Sequence, residues 1–231
     1  ITHELKSPIA SIRLVLETLL KRQLRPEQVN KFGQSALKET DRLNTLVNDL
    51  LLSAKLENAY QLHLTKVDLV ELYSEIVGRT REKYPHARIE LYQDDHIPLM
   101  EADEPGMTSI AINLVENAVK YSSKPAHIVV KIYCKKESIC IEVADHGIGI
   151  TDKDKKRIFD KFYRVGSEDT RKTKGTGLGL YIVHQLVKTH GGTIVVKDNQ
   201  PRGTIFKISL PKEGVEGIKE PPKKVLASAK S

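Results

Sequence analysis

Residues 26–56 carry the pattern that limits the fold most. Val29, Phe32, Ala36, Leu43, Val47, Leu50 and Ala54 return on a seven-residue rhythm, the spacing that keeps one apolar seam turned toward a partner helix. Upstream, residues 1–23 read as another amphipathic helix, with Leu5, Ile9, Ile12, Leu16 and Leu19 on one stripe at spacings of four and three. Gln23-Leu24-Arg25-Pro26-Glu27 joins the two and puts a proline at the start of the second helix. So short a loop makes an antiparallel hairpin, which cannot bury both stripes by itself. The pattern therefore predicts a homodimer, two hairpins forming a four-helix bundle. The alternative is a hairpin packed on the remainder of its own chain.

Beyond residues 57–66, read as a linker, the pattern becomes mixed. Strands are predicted at 67–70, 88–92, 98–102, 127–133, 138–144, 193–197 and 204–210, and helices at 69–84, 104–121 and 177–190. Polar Cys134-Lys135-Lys136-Glu137 turns 127–133 and 138–144 into a hairpin, and Gly191-Gly192 closes the last helix. Strands with helices between them predict a two-layer α/β sandwich. The division expected is a helical domain at 1–62, an α/β domain at 63–212, and a disordered tail at 213–231, where Pro, Gly, Lys and Glu outnumber apolar residues.

Composition excludes several classes. No run approaches the 18 or more apolar residues of a membrane span, and no signal peptide opens the chain. Ile1 begins inside a helical pattern without an initiator Met, so a fragment is expected, with an upstream part able to carry membrane spans. Cys134 and Cys140 fit neither a disulfide framework nor a Cys-x-x-Cys site, which makes a reducing cytoplasm the default. The net charge of +7 is spread among 30 acidic residues with no Trp and 5% aromatics. That points to a solvated mixed surface, or to attraction toward an acidic partner, rather than to a nucleic-acid footprint.

Four stretches carry chemistry. In His3-Glu4-Leu5-Lys6-Ser7-Pro8 the histidine lies off the apolar stripe, with Glu4 and Ser7 within reach of its ring edge, and Pro8 predicts a kink just beyond it. Asn113 and Asn117 share a helix face beside Lys120, and their carbonyl oxygens suit a hydrated Mg²⁺ with its phosphates. Asp145-His146-Gly147-Ile148-Gly149 ends a strand; its glycines let backbone approach a flat ligand, and its carboxylate can accept from an exocyclic amine. Gly175-Thr176-Gly177-Leu178-Gly179-Leu180 opens a helix whose first N–H groups favour phosphate. It is not a P-loop and does not match the dinucleotide fingerprint.

In this order the stretches resemble the boxes of a sensor histidine kinase catalytic core. His3 to Pro8 is similar to the H box, residues 113–122 to the N box, 145–149 to the G1 box, Phe159-Asp160-Lys161-Phe162-Tyr163-Arg164 to the F box, and 175–180 to the G2 box. The resemblance implies a dimerisation and phosphotransfer hairpin followed by a Bergerat-type ATP-binding sandwich of the kind shared with gyrase B and Hsp90. It implies ATP and Mg²⁺ as cofactors and a response-regulator receiver domain as partner.

Site residues follow by the same resemblance. His3 would accept the phosphoryl group, Glu4 would take its ring proton, and Ser7 would serve a phosphatase activity. Asn117 would hold Mg²⁺ with support from Asn113, and Lys120 and Tyr121 would line the phosphate and nucleoside side. Asp145, with Gly147 and Gly149, would receive adenine; Arg164 would approach the γ-phosphate; and Gly175, Thr176, Gly177, Leu178 and Gly179 would frame the triphosphate. Residues 165–174 would be the ATP lid. Phe159 and Phe162 are either lid anchors or plain core.

The chain departs from the family pattern at Ser7, where Thr or Asn is common, and at His146. The remaining histidines, His190 among them, read as surface or core-edge residues. Two other functions fit less well. A clamp ATPase like gyrase or Hsp90 has Glu at the place of Asn113, and a scaffold without chemistry leaves every box unexplained.

Overall fold

The computed structural model describes residues 2–58, 60–166 and 175–212, without the side chains of Thr2 and His3. The lid expected at 165–174 therefore lies outside the described residues from 167 onward, and the tail expected at 213–231 lies wholly outside them.

Helices α1 (Thr2–Lys21) and α2 (Pro26–Asn58) form the hairpin. Pro8 is buried within α1, and the chain continues helical on both sides of it. Within one chain Val15 of α1 and Leu46 of α2 are buried along the hairpin, whereas Leu50, Leu52 and Leu56 near the end of α2 pack against the core of the sandwich. Three members of the predicted seam, Val29, Val47 and Ala54, are instead exposed, as are Ile9 and Leu16 of the upstream stripe. Each helix carries apolar residues over a wider arc than one partner can cover. The arc splits into a flank facing the other helix of the hairpin and a flank left open.

The linker is shorter than expected. Glu57 and Asn58 still belong to α2, and β1 (Leu64–Val67) occupies the other end. The strand expected at 67–70 thus ends at Val67, because Asp68 accepts from the N–H groups of Val70 and Glu71 and caps α3 (Leu69–Lys83). Strand β1 pairs antiparallel with β3 (Met100–Asp103) as a separate two-stranded sheet.

The main sheet has the order β2-β4-β5-β7-β6, from β2 (Arg88–Gln93), β4 (His127–Cys134), β5 (Ser138–Asp145), β7 (Thr204–Pro211) and β6 (Thr193–Asp198). Only β2 and β4 run parallel. Helices α3, α4 (Glu104–Tyr121) and α6 (Gly179–Thr189) cover the sheet. Alternate residues of the central strands, such as Val130, Ile141, Val143 and Ile208, meet Ile110 and Leu114 of α4 and Ile182 and Leu186 of α6, all essentially inaccessible to water. Each such side chain contributes roughly 1.5–3 kcal/mol of burial. A four-residue helix, α5 (Asp152–Lys155), capped by Thr151, carries no apolar face and went unpredicted.

Candidate active site

Helix α4 positions one wall. Its start is fixed by Asp103, whose carboxylate accepts from Gly106 N–H at 2.9 Å, from Tyr60 Oη at 2.6 Å and from His63 N–H at 3.1 Å. The backbone N–H of Asp103 donates to Nε2 of His190 at 3.1 Å, and Nδ1 of that ring lies 2.7 Å from Leu186 O. His190 is therefore a wholly buried strut between α4 and the end of α6, not the surface or core-edge residue expected. Its pKa is lowered by burial, against the opposing pull of Leu186 O and Asp103.

Along α4, Asn113 Nδ2 donates to Ser109 O at 2.9 Å, while its Oδ1 abuts Gly179 so closely that any side chain there would collide. Asn113 thus sets how closely the glycine segment packs on α4. One turn on, half-buried Asn117 has no hydrogen bond among the described residues, which leaves its amide uncommitted. Lys120 lies 3.0 Å from Glu116 Oε2, and Glu116 Oε1 also accepts from Lys83 at 2.6 Å. Burial alone would raise the Glu116 carboxyl, but the two lysines hold it below its ordinary value.

Asp145 ends β5, almost hidden from water. Its Oδ1 accepts from Gly147 N–H at 2.8 Å and Thr204 N–H at 3.2 Å, and Oδ2 has no protein partner among the described residues. Burial raises its pKa against those two hydrogen bonds. Ser122 and Gly147 form an isolated antiparallel bridge, with Ile148 N–H donating to Tyr121 O at 3.3 Å. Thus the end of α4 and the turn after β5 form one rim, Tyr121 contributing its carbonyl. His146 stacks on His127, with ring centroids 4.8 Å apart.

On the opposite wall, Phe162 N–H donates to Gly177 O at 3.0 Å, which joins the F-box and glycine segments. Thr176 Oγ1 accepts from Leu178 N–H at 3.1 Å, and Leu178 is fully buried. Helix α6 begins without a side-chain cap, so its first N–H groups are available to an anion. Phe159 packs on the core and stacks with His184 at 5.2 Å, whereas Phe162 is 38% exposed.

The two helical and sandwich parts meet at charged contacts. Arg164 Nη1 lies 3.4 Å from Glu4 Oε1, and Arg42 Nη2 of α2 lies 3.2 Å from Glu4 Oε2. Farther along, Glu57 Oε1 accepts from Lys161 at 2.8 Å and from Tyr181 Oη at 3.2 Å. Those hydrogen bonds hold the Glu57 carboxyl below its ordinary value. His3 sits in the first turn of α1, with Ser7 exposed one turn on.

Sequence reading missed Arg42, Glu57, Tyr60, Asp103, His190 and Thr204. Only Asp103, an Asx cap before a proline-bearing helix start, left a local signal.

The residues fit a nucleoside triphosphate whose base carries an exocyclic amine. A shielded carboxylate oxygen on Asp145, the uncapped start of α6 and the uncommitted amide of Asn117 match that amine, the phosphates and a hydrated cation.

Two family models match the chain. The His Kinase A (phospho-acceptor) domain matches residues 1–59, and the Histidine kinase-, DNA gyrase B-, and HSP90-like ATPase matches residues 102–214. Among curated relatives, the sensor histidine kinase WalK of Bacillus subtilis is 34% identical over 216 residues, covering 91% of this chain and 35% of WalK. The sensor-like histidine kinase SenX3 of Mycobacterium tuberculosis is 33% identical over 213 residues, covering 91% of this chain and 52% of SenX3. The chain thus spans about a third to a half of these relatives. Among solved structures, histidine kinase ThkA in complex with the response regulator protein TrrA has a TM-score of 0.70 at 25% identity, covering 91% of this chain and 59% of that one.

Proposed function

The chain belongs to the two-component sensor histidine kinases, as the part holding their phospho-acceptor and ATPase segments, and from this premise we propose that it phosphorylates itself on His3. The phosphoryl group then passes to an aspartate of a response-regulator receiver domain, the kind of partner that accompanies ThkA. The observation that carries the reading is the 3.4 Å approach of Arg164, on the nucleotide side, to Glu4, the neighbour of His3.

Residues 1–62 act as the dimerisation and phosphotransfer unit, and residues 63–212 as the ATP-binding unit. The open flank of the hairpin, with Ile9, Leu16 and Leu51 at least half exposed, supports a homodimer in which a second copy covers it. No helix among the described residues is long and apolar enough to cross a membrane.

In the reaction a nitrogen of the neutral His3 ring forms a bond to the γ-phosphorus as the bond to the β–γ bridging oxygen breaks and ADP leaves. Glu4 takes the ring proton, its carboxylate oriented by Arg42. Asp145 orients adenine through Oδ2, and the start of α6 receives phosphate oxygens. Asn117 would hold Mg²⁺, which would supply neutralisation of phosphate charge, and Asn113 packs against the glycine segment at Gly179. Arg164 neutralises charge on the transferring group once it leaves Glu4.

Incubation with γ-labelled ATP and Mg²⁺ tests the proposal. The expected label is covalent, stable in alkali, lost in acid, and absent from His3→Gln. Equal labelling of that variant would refute the assignment.

A further inference from the structure

We propose that Arg202, in the turn between β6 and β7, is a positioning residue for adenine recognition. It clasps the turn after β5 to the end of α4, so that Asp145 presents its remaining carboxylate oxygen in one place. The inference rests on the reading of Asp145 as the adenine acceptor and extends it to a side chain outside the five boxes.

One guanidinium serves two segments. Arg202 Nε donates to Gly147 O at 2.8 Å, and Nη2 donates to Ser123 Oγ at 2.9 Å. Without it, the backbone link between those segments among the described residues is one isolated bridge, Ser122 with Gly147, whose bond from Ile148 N–H to Tyr121 O is 3.3 Å long. That bond lies past the usual hydrogen-bond range, whereas Arg202 is a charged planar donor whose two branches reach one segment each and fix direction.

The same turn grips Asp145 from behind. Asn199 Nδ2 donates to Asp145 O at 2.8 Å, and Thr204 N–H donates to Asp145 Oδ1 at 3.2 Å. Asn199 N–H also donates to Gly203 O at 3.0 Å, which shapes the turn. Gly203 has φ +124° and lies so close to Asp145 O that a Cβ would collide. Backbone carbonyl, carboxylate and the following glycine of the adenine-side loop are all held from this turn, with Arg202 as its link to α4.

Arg202 itself is exposed, away from buried Phe206, Ile208 and Leu210 of the next strand. Its loss therefore removes a clasp without opening the core. The reading that separates positioning from general stability is nucleotide discrimination. Inosine triphosphate carries an oxygen where adenine carries its amino group, so it cannot donate to Asp145 there.

The experiment measures affinity for ATP and inosine triphosphate by displacement of a fluorescent nucleotide from the whole chain, with melting temperatures alongside. Wild type should prefer ATP. Arg202→Ala should bind ATP about tenfold more weakly, the scale of one net hydrogen bond, with inosine triphosphate within about twofold of wild type. Arg202→Lys should restore part of the preference, since it keeps a cation but loses the fork. A loss by the same factor for both nucleotides, or an unchanged ratio, would overturn the role of Arg202. If Arg202→Ala does not fold, Ser123→Ala, which removes one exposed anchor, decides by the same ratio. Equal binding of both nucleotides by wild type would overturn the adenine reading itself, and this inference with it, before any variant is made.

Discussion

The backbone N–H of Asp103 donates to Nε2 of His190 across 3.1 Å, in an interior where both residues are almost wholly hidden from water. The accepting nitrogen must be unprotonated, and Nδ1 carries the hydrogen directed at Leu186 O, 2.7 Å away. A positively charged ring would lose the Asp103 bond and take a charge into the core.

Burial holds the pKa of His190 down, so the unfolded chain binds a proton that the folded chain refuses once the pH drops below the ordinary value near 6.5. Its contribution is intact above about pH 6.5 and is lost progressively as the pH falls toward its lowered folded value. The folded protein should therefore be less stable at pH 5.5 than at pH 8 by a part that His190 carries. His190→Gln should be less stable throughout but should lack that part of the pH slope. Urea unfolding of both proteins at the two pH values checks this, and parallel slopes would contradict it.

Glu4→Gln should separate binding from chemistry. The residues proposed to hold the nucleotide lie on α4, the turn after β5 and the start of α6, and none of the contacts among them includes Glu4. ATP affinity should therefore stay within about twofold of wild type, while autophosphorylation falls about 10²–10⁴-fold with the loss of the base. A large loss of ATP binding would show that the Glu4–Arg164 contact shapes the cleft itself.

We propose in addition that the chain dephosphorylates the phosphorylated regulator and that Ser7 serves this activity rather than the kinase reaction. It is exposed, one turn beyond His3, where a hydroxyl can orient water toward an aspartyl phosphate of the partner without entering proton transfer from the ring. Ser7→Ala should keep autophosphorylation within about twofold and slow the decay of a phosphorylated regulator about tenfold or more. Decay measured with ADP present decides it, and an unchanged rate would remove Ser7 from that role.

Much of the architecture was legible because its signals are local. Helix α4 runs over the predicted 104–121, since Asp103 caps it and Ile110, Leu114, Val115 and Ala118 give it one apolar face. The β4–β5 hairpin follows from alternation on both sides of a polar turn. Choices between partners were less legible. A seven-residue rhythm says that α2 has a seam, but whether Leu46 or Val47 faces α1 depends on which helix occupies each flank. The glycine-rich and Asp145 segments stood out because close approach demands unusual residues. Arg202 acts through contacts 55 and 79 residues away in sequence and His190 through one 87 residues away, which no local pattern announces.

Asp49 supplies the last prediction, because it is a carboxyl in the wrong surroundings. It lies half-buried on α2, and burial pushes its pKa from the ordinary 3.8 up to about 6, with Lys120 of α4 opposing the shift. Lys120 is also paired with Glu116 at 3.0 Å, so it offsets only part of the desolvation. The folded state therefore prefers the protonated carboxyl. Ionising Asp49 costs nothing below about pH 3.8, and the penalty grows as the pH rises to about 6 and stays constant above. A shift of that size corresponds to about 3 kcal/mol for a fully hidden group. Water reaches part of this side chain, which reduces the expected cost to about 1 kcal/mol. Asp49→Asn should thus raise stability by about 1 kcal/mol at pH 8 and by almost nothing at pH 4. Urea unfolding at both values measures it. An equal gain at both would place the benefit in packing or helix propensity rather than in the buried charge.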